Sequence, residues 1–169
     1  VITIKKGDIT LEDVAVIVNA ANTRLKGGGG VDGAIHRAAG PSVLEECRKI
    51  GRCPTGEAVM TNAGQLKAFK IIHTVGPVWS GGTRRESELL RKAYENSLSL
   101  ARKHGYRSIA FPAISTGVYG YPKREAAGIA LGAGLKFSRD FDEIRFLCFS
   151  KEDLALYRLV WASLNHETR

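Results

Sequence analysis

Residues 14–40 read VAVIVNAANTRLKGGGGVDGAIHRAAG, from Val14 to Gly40. Val14 to Val18 is an apolar run of strand length, rich in valine, and predicts a buried strand. Asn19-Ala20-Ala21-Asn22 follows, then a loop from Thr23 to Gly30, and Val31 to Ala39 looks helical. Four consecutive glycines, Gly27 to Gly30, cost chain entropy. They suit a place where backbone approaches a ligand closely or turns to positive φ. Asn19 and Asn22 offer donors and acceptors for a sugar's hydroxyls. Asp32 falls at the start of the helix, where a carboxylate caps free N–H groups and meets the positive end of the dipole. Gly28, Gly30 and Gly33 fit G-x-G-x-x-G, but a dinucleotide fingerprint starts directly after its strand, and here a polar segment intervenes. No glycine is followed by Lys-Ser or Lys-Thr, so this is not a P-loop.

Outward from this stretch the elements alternate. Val1 to Lys5 reads as a strand, and Pro41 opens a helix to about Ile50. Ala58 to Thr61 and Lys70 to Val75 are strand-like. Glu86 to His104 is an amphipathic helix with Leu90, Tyr94, Ser97, Leu98 and Ala101 on one side. Ser108 to Ile114 reads as a strand, Pro122 to Phe137 as an alanine-rich helix, and Ile144 to Phe149 as a strand. A last helix spans Lys151 to Leu164, with Leu154, Tyr157, Trp161 and Leu164 inward and His166 in the tail. Strands alternating with helices predict an α/β domain with helices on both faces of a mostly parallel sheet. Ligands of such folds sit outside the carboxyl ends of the strands, which directs attention to the loops after Val18, Ile114 and Phe149.

The loop after Ile114 reads Ser115-Thr116-Gly117-Val118-Tyr119-Gly120-Tyr121-Pro122. Strand, glycine loop and helix N-terminus in succession suit an anion such as a diphosphate. Ser115 and Thr116 add hydroxyl donors, and Tyr119 a ring face for a ribose. Ser115 is not in a G-x-S-x-G elbow, so it does not read as a nucleophile. Two glycine loops at two strand ends point to a phosphorylated sugar nucleotide without fixing which one.

With 169 residues the chain fits one domain, residues 1–169, and can bury a core without staples. No apolar run reaches a membrane span, and Val1-Ile2-Thr3-Ile4 passes straight into Lys5 and Lys6, unlike a secretory signal. Cys47, Cys53 and Cys148 read as free thiols of a reducing cytoplasm. Cys47 and Cys53 have no second pair or clustered histidine in the sequence, which argues against zinc; Cys148 reads as core. The formal net charge of +8 is spread along the chain, so it predicts a solvated basic surface with at most weak nucleic-acid binding.

Taken in order, several segments resemble the macrodomain family, closest to its MacroD-type hydrolase branch. They are Gly7-Asp8-Ile9-Thr10, Val18 to Asn22, GGGGVDGAIHRAAG from Gly27 to Gly40, and Cys53 to Ala58. Ile72 to Pro77 and FPAISTGVYGYP from Phe111 to Pro122 complete the series, which covers nearly the whole chain. The resemblance implies a three-layer α/β/α sandwich with a mixed, roughly six-stranded sheet, and ADP-ribose as ligand. It implies that Asp8, with the Ile9 backbone, holds the adenine amino group and that Phe149 packs on the adenine. Asp8 reads equally well as a turn or cap residue and Phe149 as core. Ser115, Thr116, Gly117, Val118 and Tyr119 would wrap the diphosphate. Gly28, Gly29, Gly30 and Val31, with Asn19, Asn22 and Asp32, would surround the distal ribose.

Members of that branch remove ADP-ribose from acidic side chains of modified proteins and deacetylate O-acetyl-ADP-ribose. Both reactions cleave an ester at the distal ribose without metal or cofactor. By resemblance Asp32 would orient or deprotonate water, or position the substrate so that its own phosphate holds that water. Asn22 would orient the ribose and Tyr119 confine it. Two other functions compete: a module that reads ADP-ribose without turnover, and an RNA or poly(A) binder. Asp32 within an intact GGGGVDG favours the enzyme. His36 and His73 read as structural hydrogen-bonding residues rather than bases, and His104 suits a helix end. Nothing demands more than a monomer.

Overall fold

The computed structural model describes residues 1–167, with side chains to Asn165. Six strands form one sheet: β1 (Ile2–Lys6), β2 (Val16–Ala20), β3 (Ala58–Asn62), β4 (Lys70–Thr74), β5 (Ser108–Phe111) and β6 (Glu143–Cys148). Five helices connect them: α1 (Gly30–Ala39), α2 (Pro41–Ile50), α3 (Glu86–Lys103), α4 (Lys123–Phe137) and α5 (Lys151–Glu167). The strand order is β1-β6-β5-β2-β4-β3. All neighbours run parallel except β3, which lies antiparallel to β4 at one edge. The sheet is therefore mixed and six-stranded, as expected.

Alternation along each strand divides the core in two. Val16 and Val18 of β2, Ile109 and Phe111 of β5, and Ile144 and Phe146 of β6 face α3, α4 and α5. Ile17, Ile71, Ala110 and Leu147 face α1 and α2, where Ile35, Ala39, Val43 and Cys47 are buried. These two clusters make the three layers. The inward stripe of α3 is Leu90, Tyr94, Ser97, Leu98 and Ala101, none with any exposed surface. On α5, Tyr157 is buried and Leu154, Trp161 and Leu164 pack against the same core. The side chain of His166 lies outside the described residues.

Two strands differ from the expectation by more than one residue. β2 starts two residues later and runs on through Asn19, which pairs in register with His73 of β4. β5 stops at Phe111 rather than Ile114, because Pro112 has no N–H to give the ladder. Ile114 is still buried, and its N–H donates to the Tyr94 hydroxyl at 3.2 Å. The five parallel strands thus end together, at Lys6, Ala20, Thr74, Phe111 and Cys148, and the loops that follow them share one rim of the sheet.

Candidate active site

Asp32 is the centre of the first loop. It sits in the first turn of α1 and is 6% exposed. Its Oδ1 accepts from the Asn19 amide at 2.8 Å and lies 3.3 Å from Nε2 of His36, one helical turn on. Its Oδ2 has no hydrogen bond among the described residues and lies under the glycine loop, 3.5 Å from where a Cβ on Gly28 would stand. Burial raises the Asp32 pKa above the ordinary carboxylate value, opposed by the Asn19 hydrogen bond and the His36 charge. One oxygen is anchored and the other remains available.

The anchor continues inward. The second Asn19 amide hydrogen points to Nδ1 of His73 at 3.1 Å, and Nε2 of His73 meets the Thr61 hydroxyl at 2.9 Å. That hydroxyl donates to the Asn62 carbonyl at 2.9 Å, so it accepts from His73. The chain of donors closes only with a neutral His73 carrying its proton on Nε2. Burial agrees, since it pushes the His73 pKa down to about 3. Asn19 and His73 have no exposed surface. Asn19 therefore does not line the ribose pocket as expected; it stands behind Asp32 and positions it.

Asn22 is also occupied differently from the expectation. Its Nδ2 donates to the Gly27 carbonyl at 2.8 Å, and its Oδ1 accepts from the Lys26 N–H at 3.2 Å. One amide hydrogen is left for a ligand while the rest of the group staples the loop. Leu25, at φ 56°, turns its side chain into the core, and the Cys53 N–H reaches the Thr23 carbonyl at 2.8 Å. Gly33 lets α1 close on this loop: a Cβ there would stand 2.4 Å from the Gly28 carbonyl oxygen.

Cys47 lies in the same layer, its Sγ 3.8 Å from Nε2 of His73. His36, Cys47 and His73 offer ligand atoms within 4.8 Å of one another, so Cys47 does have clustered histidines, contrary to the inference from spacing. Such a trio could hold a soft divalent cation. Both nitrogens of His73 already have protein partners, and burial pushes the Cys47 thiol up to about 11. All three cysteines are free and buried, Cys148 in the core as expected.

The second loop leaves β5 through Ser115, whose φ of 69° is left-handed. Tyr121 N–H returns to the Ser115 carbonyl at 2.9 Å, and Trp79 N–H to the Tyr119 carbonyl at 2.9 Å. The Ser115 hydroxyl is buried without a hydrogen-bond partner among the described residues. Thr116 and Tyr119 are half-buried, Gly117 is exposed, and Val118 stands fully in solvent. At the next strand end Phe149 is 92% exposed, so it is not core. Asp8, after β1, caps a 3-10 turn (Ile9–Leu11): its Oδ1 accepts from the Thr10 N–H at 2.9 Å and the Thr10 hydroxyl at 2.7 Å. Ile9 beside it is buried, while Gly28, Gly29 and Gly30 are exposed and Val31 half-buried. The rim thus carries, in spatial order, Asp8, Phe149, the Ser115–Tyr119 loop and the Asn22–Asp32 loop.

The sequence profile of the Macro domain matches residues 18–130, more than half of the chain. The chain belongs to the Macro domain family. It is 57% identical over 164 residues to an O-acetyl-ADP-ribose deacetylase of Klebsiella pneumoniae, covering 93% of this chain and 94% of the relative. Among solved structures it is similar to the Oceanobacillus iheyensis macrodomain with ADP: TM-score 0.91, 45% identity, 96% of this chain and 90% of that one. A Trypanosoma brucei macrodomain in complex with ADP-ribose gives a TM-score of 0.88 at 47% identity, covering 94% of this chain and 68% of that one. Two departures from the expected macrodomain site stand out, the buried Asn19 and the extension of the polar network through His73 to Thr61. His36 carried the one readable signal, its i, i+4 spacing from Asp32. His73 was read as a structural hydrogen-bonding residue, as found, but its place in this network, like that of Thr61, carried no signal, because strand pairing alone brings them there.

No helix among the described residues is long and apolar enough to cross a membrane.

Proposed function

We propose that this macrodomain binds ADP-ribose across the rim and hydrolyses ester-linked ADP-ribosyl groups, both O-acetyl-ADP-ribose and ADP-ribose on Asp or Glu side chains of proteins. The observation that carries the proposal is the state of Asp32: a buried carboxylate with Oδ1 held by Asn19 and Oδ2 free beneath the glycine loop. A pure binding module has no use for that arrangement. The names of the relatives support the same chemistry.

Each end of the ligand has its counterpart. The adenine lies against Phe149, whose exposed ring gains from being covered, and its amino group donates to Asp8 Oδ2, which no described residue uses. The diphosphate takes N–H groups of Thr116 to Tyr119, where the buried Ser115 hydroxyl adds a donor. The distal ribose rests between the glycine loop, Val31 and Tyr119, oriented by the remaining amide hydrogen of Asn22.

Asp32 Oδ2 then accepts a proton from water as its oxygen attacks the ester. The ester C–O bond breaks, and the departing oxygen takes up a proton. General-base help of this kind is worth ~10²–10⁴-fold. Incubation with a glutamate-linked mono-ADP-ribosylated protein should release free ADP-ribose, read by mass spectrometry. Asp32→Ala should lose release by that factor while still binding ADP-ribose. Release undiminished in Asp32→Ala would remove Asp32 from the chemistry. Binding without release by the wild type would make the domain a reader.

A further inference from the structure

The loop that carries Asn22 has a second face. Arg24, Leu25 and Lys26, together with Leu44, Arg48 and Gly51, line a hollow of about 450 Å³. This is within the size range of ligand pockets. Arg24, Lys26 and Arg48 are exposed, and none of them makes an ion pair among the described residues. The hollow therefore brings three basic side chains, none in an ion pair among the described residues, to one concave surface that holds no carboxylate in its lining.

Its frame is fixed. Asn22 closes the loop on itself through Gly27 and Lys26, Leu25 is locked in the core, and the Cys53 N–H ties Thr23 down from below. Arg24 and Lys26 are thus mounted, on a short rigid bridge, between Asn22 and Gly27, at the end of the cleft where the ester would be cut. No aromatic ring among the described residues lines the hollow. Single-stranded nucleic acid is held by stacking on aromatic rings as well as by charge. Carboxylates on short flexible side chains need only the charge.

We infer that the hollow formed by Arg24, Lys26 and Arg48 is an acceptor subsite, which takes acidic side chains flanking the ADP-ribosylated residue of a protein substrate. The inference rests on the ester-hydrolase proposal and adds a preference to it. Modified residues in acidic stretches are favoured substrates, whereas O-acetyl-ADP-ribose, which has no flanking chain, does not use the subsite.

The experiment compares four substrates: a glutamyl-ADP-ribosylated peptide with Asp and Glu neighbours, the same peptide with Ser and Gly neighbours, O-acetyl-ADP-ribose, and a DNA oligonucleotide ADP-ribosylated on its terminal phosphate. The enzymes are wild type, Arg24→Glu, Arg48→Glu, and Arg139→Glu, an equal charge change at an exposed position after α4. Wild type should favour the acidic peptide over the neutral one in kcat/KM by about tenfold, the scale of two or three exposed ion pairs. Arg24→Glu and Arg48→Glu should erase that preference and leave O-acetyl-ADP-ribose turnover unchanged. Arg139→Glu should change neither.

Equal rates for the two peptides in wild type, or an effect of Arg139→Glu as large as that of Arg48→Glu, would overturn the subsite. An effect of Arg48→Glu confined to the DNA substrate would overturn it in favour of nucleic acid. If wild type turned over none of the four, the hydrolase proposal would fall instead. The ranking of the two peptides by affinity, measured by fluorescence anisotropy, would then still decide the subsite.

Discussion

At the scale of the residue, the site is a carboxylate whose surroundings work against its charge. Burial raises the Asp32 pKa, so the fold prefers its neutral form. That preference stabilises the protein fully below the unfolded value of 3.8 and is lost as pH rises through the higher folded value. Asp32→Asn, which can still accept from Asn19, should therefore raise Tm at pH 7 while abolishing turnover. A Tm equal to or below wild type would contradict the strain implied here. Asn19 holds the Asp32 pKa down, so Asn19→Ala should move the acid limb of the kcat/KM–pH profile to higher pH. An unmoved limb would detach Asn19 from the chemistry. His73 has the opposite sign. Its pKa falls from 6.5 to about 3, so its contribution is present above 6.5 and drains away as pH falls toward 3. His73→Gln should flatten the dependence of urea-unfolding free energy on pH across that window. Asp32 was legible because its helix and loop are contiguous in sequence. Asn19 was misassigned because polarity at a strand end looks the same whether it faces a ligand or a buried carboxylate.

Elements set how closely the loops approach one another, and glycines do this where any side chain would collide. A Cβ on Gly76 would stand 2.1 Å from Oγ of Ser115 and 2.5 Å from Cγ2 of Ile114. Gly76→Ala should therefore displace the Ser115 loop and weaken ADP-ribose binding by calorimetry, although residue 76 itself lies behind that loop. Unchanged affinity would show that the loop yields freely. The strands and helices were legible nearly throughout, since β2 and β5 are apolar runs of strand length and α3 carries a clear 3.6-residue period. Their ends were less so. Pro112 did mark the true end of β5, but the apolar Ala113-Ile114 beyond it read as more strand, because a buried coil residue and a strand residue have the same composition. Phe149 shows the reverse ambiguity: one residue past Cys148 the chain leaves the sheet, and its ring passes from core to solvent.

For the whole molecule, the layer of α3, α4 and α5 is held by a run of aromatic contacts. Tyr94 and Phe111 lie 5.2 Å apart between ring centroids, Phe111 and Phe146 5.6 Å, and Phe146 and Tyr157 6.4 Å. Phe146→Ala should cost roughly 3–5 kcal/mol in urea unfolding, the usual figure for emptying a buried aromatic site. A loss under about 1 kcal/mol would mean that the layer collapses to fill the space. Sheet order was the part of the fold least open to the sequence. Adjacent elements announce themselves locally, whereas the insertion of β6 between β1 and β5 depends on contacts across most of the chain. That insertion also governs when the protein can become itself during synthesis. β1 has β6 as its one neighbour in the sheet, with Ile4 opposite Phe146. While the ribosome is still making residues 7 to 142, β1 has nowhere to pair, and Asp8 at its end has no Phe149 to stand beside. A nascent chain carrying both glycine loops therefore holds half a nucleotide cleft and an orphan strand, exposed to chaperones until Glu143 to Cys148 emerge.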